Sequence, residues 1–574
     1  MADGSPTRLN LRQMLQIMRD DRGFFWLSVV YTVALAVLSL AVPLCVQTLV
    51  NSVANIAVFR PVAILAIVLL VLLTAFGVLV ALEVYLMEIF ERRFFCRITA
   101  DIVLRTIYAR SSYFESINRE ELVNRYFEIM TIQKNVPRLL VGGLGVVLNA
   151  IVGFAVVSFY HPVFLVFNLV LVLLLYLVIR GWGPGAIRTA GQLSDAKYQM
   201  ARWLEEMARA NSVFKADRYI DQALARSEAI TADYIQRHGA HFRYRFAQVI
   251  GLLAIYALAS STLLGLGGWL VIQGQLSLGQ LVAAELILSV IFASFAGFGW
   301  YLDAVYECGA ALEKIAYFYR VPVEADTGGL APPDGPAEVV FKQVRAGFHR
   351  GECRLDFTLP AGRTVMAVAA SGSLQKTILD LLQRHLVPEG GSISFAGIDL
   401  QDARLHALRD RIVLIDNSGV LESTVFDYLA MASPGLTQTR ARDVLRVVGL
   451  EETLDGLEHG FATPLRPHGY PLSRSEVLRL KIAAALLARP GLLCITEIFD
   501  TVNRHDRTRI VEYLANQRDM TVLYFSNRRD TGAFGSYLYI GADRQLAFDS
   551  LAALVADEEQ RAAAGQSGTE ATGS

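Results

Sequence analysis

The chain has 574 residues, 53% of them hydrophobic and 19% charged, with a formal net charge of −1. That balance excludes a disordered chain, a collagen-like repeat and a small disulfide scaffold, and it offers no global basic field for nucleic acid. Five cysteines (Cys45, Cys96, Cys308, Cys353 and Cys494) without CxxC spacing exclude a disulfide framework and suggest no metal site.

In chain order, residues 1–23 carry Arg8, Arg12, Arg19 and Arg22 among the apolar positions Leu9, Leu11, Leu15 and Met18. This predicts an amphipathic elbow on the inner membrane surface rather than a cleaved signal. Uncharged runs follow at 24–50, 62–82, 139–160 and 162–179, each long enough to cross a hydrocarbon core of ~30 Å as a helix. A fifth uncharged run, 246–284, is too long for one span. The polar stretch Gln273–Gln280 divides it into helices expected at about 246–272 and 280–302, six spans in all. Lys and Arg concentrate in the N-terminal segment, in 91–138 and in 180–245, whereas the other loops carry only Arg60, so both termini are expected in the cytoplasm. The two basic segments show helical periodicity and predict long cytoplasmic extensions of the spanning helices, each reaching roughly 40 Å. Among the acids near the spans, Glu83, Asp303 and Glu307 read as solvated residues at inner helix ends, and Glu285 as the candidate for a transport path.

Residues 321–337 are rich in Pro and Gly and read as a linker. From 338 to 556 short apolar strands alternate with helical stretches, an α/β pattern, and 557–574 read as a disordered tail. Within the α/β part, the strand Thr364–Val368 leads into a small-residue loop and then the apolar helix beginning at Ile378. Strand, loop and helix in this order are the setting of a phosphate-binding loop.

With six spans, long internal helices, a linker and a C-terminal ATPase-like domain, the chain resembles an ABC exporter half-transporter over about residues 10–556. The resemblance implies an α-helical membrane domain of six transmembrane helices (24–320) joined through the linker to a P-loop NTPase-like ABC domain (338–556). It also implies that ATP lies between the Walker A loop of one half and the signature motif of another. Laid on this chain without gaps, nearly every motif is altered. The Walker A positions hold Ala369 and Leu374 for the two glycines, Gln375 for the lysine and Lys376 for the hydroxyl, followed by Thr377. Asp416 stands for the Q-loop glutamine, and the signature reads Leu472-Ser473-Arg474-Ser475-Glu476. Thr496 replaces the Walker B aspartate, Glu497 matches the general base, Asn503 replaces the D-loop aspartate and Asn527 the switch histidine. Phe348 is the stacking aromatic that the resemblance implies.

These replacements have physical consequences. Gln375 lacks the point charge that holds a γ-phosphate, and Thr496 lacks the carboxylate that anchors Mg²⁺. Asn527 cannot do what an imidazole does. The expectation is therefore weak ATP binding through Ser371, Gly372, Ser373, Lys376 and Thr377, a doubtful Mg²⁺ site and no self-sufficient hydrolysis. A partner half with an intact Walker A loop would face Ser473 and Arg474, where Arg474 either approaches the γ-phosphate or is simply solvated. A heterodimer that moves an unidentified substrate across the inner membrane of a bacterium is the leading expectation. The alternatives are a homodimer, a non-transporting scaffold or regulator of a membrane complex, and an ATP-independent transporter.

Overall fold

The computed structural model describes residues 22–55, 59–111, 113, 126–296, 298–319, 321–326, 328–348, 351–466, 468–529 and 534–570. The chain divides into two compact units, 1–323 and 324–574. Most of the predicted elbow, including Leu9, Leu11, Leu15 and Met18, lies outside the described residues.

The first unit is all helix. Helices α1 (Arg22–Leu38) and α2 (Ala41–Asn55) are separated by a turn at Ser39-Leu40. Pro43 explains the break, because it has no N–H for the Ser39 carbonyl and its ring crowds that group. Helix α3 (Phe59–Ile107) follows, then α4 (Glu128–Arg138), a π turn at Leu139–Gly143 and α5 (Leu144–Tyr160). His161-Pro162 separates α5 from α6 (Pro162–Arg209): His161 is extended, Pro162 opens α6, and the His161 ring accepts the Val163 N–H. Helix α7 spans Asp217–Ile272, and α8 (Leu278–Ala296) and α9 (Phe298–Phe318) complete the unit.

Five of these helical segments, among the described residues, are long and apolar enough to cross a membrane, and the shorter apolar helix at Leu278–Ala293 adds a sixth apolar element. The predicted division at Gln273–Gln280 has a physical cause on both sides. Gly274, at φ +69°, closes α7 with Gln275 N–H donating to the Leu270 carbonyl and Gly274 N–H to that of Val271. Ser277 and Gln280 then cap α8 reciprocally, at 2.9 and 3.1 Å.

Helices α6 and α7 lie antiparallel over their length. The Trp203 indole N–H donates to Ser227 Oγ at 2.7 Å, Thr189 Oγ1 meets His241 Nδ1 at 3.0 Å, and Gly251 packs on Val178. At 48 and 56 residues, these helices are each about 70–85 Å long. Between α5 and α6, Asn168 donates to the Phe154 carbonyl and to Ser158 Oγ at 3.0 and 2.9 Å, a polar tie of the kind that joins helices in lipid.

The second unit begins in the segment read as linker. Its residues 324, 326 and 330 are tied to the rest of the unit. Arg409 grips Glu324 through two hydrogen bonds at 2.5 and 2.8 Å, Asp326 accepts the Leu405 N–H, and Leu330 exchanges backbone bonds with Asp402 and Arg404. Strands β1 (Val339–Phe348), β2 (Gly351–Leu359), β4 (Gly390–Phe395) and β5 (Ile398–Asp399) form an antiparallel sheet in the order β2-β1-β4-β5. A second sheet has the order β12-β11-β3-β10-β9-β6, from β3 (Thr364–Ala369), β6 (Ile412–Ile415), β9 (Leu492–Ile495), β10 (Thr521–Phe525), β11 (Ser536–Ile540) and β12 (Gln545–Phe548), while the short strands β7 (Ser423–Thr424) and β8 (Pro464–Leu465) pair with each other. All but β12 run parallel, and β3, β9 and β10 are buried on both faces, as a helix-covered parallel sheet requires. Helices α10 (Gly372–Leu382), α11 (Leu405–Arg411), α12 (Val425–Ala432), α13 (Gln438–Val447), α14 (Glu451–Gly456), α15 (Arg474–Ala488) and α16 (Arg504–Asn516) surround it. One correction concerns the tail. Helix α17 runs Leu551–Glu570, through most of the segment expected to be disordered, because Leu551–Ala564 is built almost wholly of Ala, Leu, Glu, Gln and Arg, strong helix formers.

Candidate functional site

Four neighbouring parallel strands, in the order β3-β10-β9-β6, deliver several of the candidate site residues to one edge of the sheet. After β3 comes the loop 370–371 and α10, after β10 Ser526-Asn527, after β9 Thr496-Glu497, and after β6 Asp416. The carboxyl ends of such strands are where an open α/β sheet binds its ligand.

At the first of these, Ser371 caps α10, its Oγ accepting the Leu374 N–H at 3.2 Å and lying 3.0 Å from Ser373 Oγ. Ser371 and Gly372 are exposed and Ser373 half-buried at this helix start, where backbone N–H groups point outward. Leu374 and Gln375 behave differently. Leu374 is 1% exposed, inside the apolar cluster under the antiparallel sheet, and Gln375 is also buried. Lys376 pairs with Asp380 one turn on at 3.0 Å, and the Thr377 hydroxyl donates to the Ser373 carbonyl at 3.0 Å. The Asp380 carboxyl would be pushed up by burial, but His385 and Lys376 hold it below the ordinary aspartate value.

The Thr496 hydroxyl donates at 2.8 Å to the Ile415 carbonyl, which also receives the Thr496 N–H at 3.0 Å. Glu497 is exposed and accepts from Asn527 Nδ2 at 3.4 Å, and a Cβ on Gly372 would lie 3.6 Å from its Oε1. Glu497, Asn527 and the start of α10 are thus brought together. Phe348 ends β1 with its ring partly buried against the core of the antiparallel sheet. Asn503 caps α16, accepting the Asp506 N–H at 2.9 Å.

The signature segment starts α15. Ser473 and Glu476 form a reciprocal capping box, and the Arg474 guanidinium folds onto Asn417 Oδ1 of its own chain through Nε (3.2 Å) and Nη2 (2.5 Å). Three participants escaped the sequence reading. Asp500 accepts hydrogen bonds from the Tyr524 hydroxyl, from Ser526 Oγ at 2.8 Å and from the Asn527 N–H at 2.9 Å, and so fixes the switch segment. Asn417 receives Arg474. Lys481, 6% exposed, donates to the Asp416 and Ser418 carbonyls at 3.1 and 2.6 Å. Burial pushes the Lys481 pKa below the ordinary lysine value, and Asp416 opposes that shift. The available signal was a lysine, two residues after Arg479, inside the otherwise apolar run Val477–Leu487. Among the described residues, no group of three or more His, Cys, Asp or Glu side chains is arranged to hold a metal ion.

In the membrane unit the acids are not simply solvated. Glu83 is 2% exposed and accepts from Thr32 Oγ1 at 2.7 Å, because its place on α3 faces α1 rather than water. Asp303 pairs with Arg245 at 2.5 Å, and Glu307 accepts from Asn135 at 2.8 Å, since α9 packs against α7 and α4 at these positions. Glu285 Oε1 accepts from Ser260 at 3.0 Å, while its Oε2 is buried without a hydrogen-bond partner among the described residues.

Comparison with known proteins bears on both units. Residues 25–295 match the ABC transporter transmembrane region, and residues 353–499 match the ABC transporter domain, which implies ATP binding. The alpha-hemolysin translocation ATP-binding protein HlyB of Escherichia coli O157:H7 is 24% identical over 510 residues, covering 86% of this chain and 71% of that protein. The toxin RTX-I translocation ATP-binding protein of Actinobacillus pleuropneumoniae is 23% identical over 526 residues, covering 89% and 73%. The structure of a bacterial Atm1-family ABC exporter with ATP bound superposes with a TM-score of 0.74 at 18% identity, over 94% of this chain and 96% of that one, which shows a shared fold. With a helical membrane region fused to an ABC domain, and similarity to both over most of its length, the chain belongs to the ABC exporters.

Proposed function

We propose that this chain is one half of an exporter whose own nucleotide site does not turn over ATP, and that it works beside a second, ATPase-competent half. Its limits are those read from the sequence: membrane domain 24–320 and ABC domain 338–556, with both termini in the cytoplasm of a bacterium. One observation carries this reading. The groups at the positions that would hold phosphate and metal are engaged within the chain: Gln375 is buried, Lys376 is paired to Asp380, and Thr496 is bonded to Ile415. For Mg²⁺·ATP the residues fit only in part. The start of α10, with Ser371 and Ser373, presents donors suited to an anion, but no carboxylate stands at 496 and no cation at 375.

Glu497 alone is a base without positioned reactants. The arrangement supports a site that holds nucleotide weakly and leaves hydrolysis to the site that a partner's Walker A loop would complete with Ser473. The membrane unit supplies the path, with Glu285 as its polar group. The test is hydrolysis by the purified full chain in detergent, alone and with a candidate partner half. The expected outcome is no Mg²⁺-dependent turnover above background by the chain alone, unchanged in Glu497→Gln, and turnover in the pair. Robust hydrolysis by the chain alone that is lost in Glu497→Gln would overturn the reading.

A further inference from the structure

Loop 416–418 connects the end of β6 to the helical part of the domain, and helix α15 fastens it at two points. Arg474 and Lys481 are seven residues apart, so two helical turns place them on one face of α15. Between them they hold three consecutive residues, Arg474 the middle one and Lys481 the two that flank it. Arg474 donates twice to Asn417 Oδ1. The Lys481 ammonium meets the Asp416 carbonyl (3.1 Å), Asp416 Oδ1 (3.4 Å), the Ser418 carbonyl (2.6 Å) and Ser418 Oγ (2.9 Å). Asp416 Oδ1 also accepts the Ser418 N–H at 2.9 Å and the Ser418 hydroxyl at 2.5 Å. One residue earlier, the Ile415 carbonyl is held by Thr496. The loop is therefore bound to its own chain at four consecutive residues.

We propose that Lys481, seconded by Arg474, is a positioning residue that locks loop 416–418 onto α15 in one conformation whether or not nucleotide is present. A buried ammonium is costly unless it is paired, and Lys481 is paired with oxygens of the loop. What the charge adds is conformational specificity: an ammonium with three donors, surrounded by four oxygens of two loop residues, selects one loop geometry. Arg474 thereby acquires a role inside its own chain, where the motif alone left open a role toward a partner's phosphate. The proposal rests on the reading of this site as one that does not turn over ATP, and it adds that the loop does not respond to nucleotide.

The test is hydrogen–deuterium exchange of the peptide containing residues 412–420, on the full chain in detergent, with and without Mg²⁺·ATP. In the parent chain the Ser418 amide should exchange slowly and at the same rate in both conditions. Lys481→Met keeps the length and apolar stem but removes the charge, and should speed that exchange at least about tenfold, the loss expected for charge-assisted hydrogen bonds. Lys481→Arg should restore protection, and the melting temperature of Lys481→Met should stay within about 2 °C of the parent, because exchanging a buried charge for a methionine of similar volume is often near neutral for stability. Unchanged exchange in Lys481→Met would overturn the lock, as would a parent loop whose exchange shifts with Mg²⁺·ATP. Hydrolysis by the chain alone, with the exchange pattern as expected, would sink the functional reading and leave the lock standing.

Discussion

Laid on the phosphate-binding pattern without gaps, Leu374 takes a glycine position, and that reading alone suggests that a glycine there would restore the loop. Its burial argues otherwise. The side chain is 1% exposed in a cluster with Ile378, Leu382, Val365 and Phe395. Leu374→Ala should therefore cost about 2–5 kcal/mol, and Leu374→Gly about 1 kcal/mol more because it sits within α10. Thermal unfolding of the full chain checks this; a glycine variant as stable as the parent would mean that the loop is not committed to its present packing. Residue types at 374, 375, 496 and 527 were legible in the sequence, because each departs from a pattern with a known physical demand. The ties of Lys481 and Arg474 were not, because their partners lie 57–65 residues away and neither partner belongs to the motif being read.

At the scale of elements, the π turn Leu139–Gly143 decides how α4 and α5 meet α9. A Cβ on Gly142 would overlap the Tyr301 ring, so glycine leaves room for that ring against the π turn. Gly142→Ala should destabilise the membrane unit by about 1–3 kcal/mol, the usual cost of overpacking. Tyr301→Ala in the same chain should remove most of that extra penalty. Detergent-resistance melts of the two single variants and the double variant test this; additive losses would mean that the glycine serves the π turn itself and not the contact. The breaks at His161-Pro162 and Gln273–Gln280 were visible beforehand, since Pro, Gly and capping side chains act locally. The break before Pro43 and the π turn were not read, although Pro43, Pro137 and the Gly142-Gly143 pair stand in the sequence. Hydropathy continues unchanged through both places, so the uncharged runs hid them.

Over the whole molecule, the tie at Glu324 makes the stability of the second unit depend on pH. Burial would raise the Glu324 carboxyl, but the Arg409 guanidinium holds it below its ordinary value of 4.5. Glu476 is likewise held below 4.5: burial pushes it up, and the Ser473 N–H and hydroxyl outweigh that. For groups depressed on folding, the stability contribution is complete above about pH 4.5 and is lost as pH falls through the folded-state values. Denaturant unfolding of the full chain between pH 7 and 3.5 should show that decline. Arg409→Ala should lower stability at pH 7 by about 2 kcal/mol and flatten the acid limb, because Glu324 then titrates near its unfolded value. Parallel acid limbs in the two chains would show that the pair contributes nothing to it.

The sequence by itself determined the helical membrane domain followed by an α/β domain, and the residue types at the strand ends where a ligand would bind. Hydropathy, charge and residue type are properties that each residue carries wherever it lies. Tertiary structure decided which of the altered side chains meet: Glu497 with Asn527, Arg474 with Asn417, Lys481 with loop 416–418, and Glu83 with Thr32. It also decided that residues 324, 326 and 330 are tied to the rest of the second unit and that Leu374 is core. These outcomes depend on strand order and helix packing, which bring together groups far apart in the chain, and a pattern of neighbours along the sequence carries no record of that.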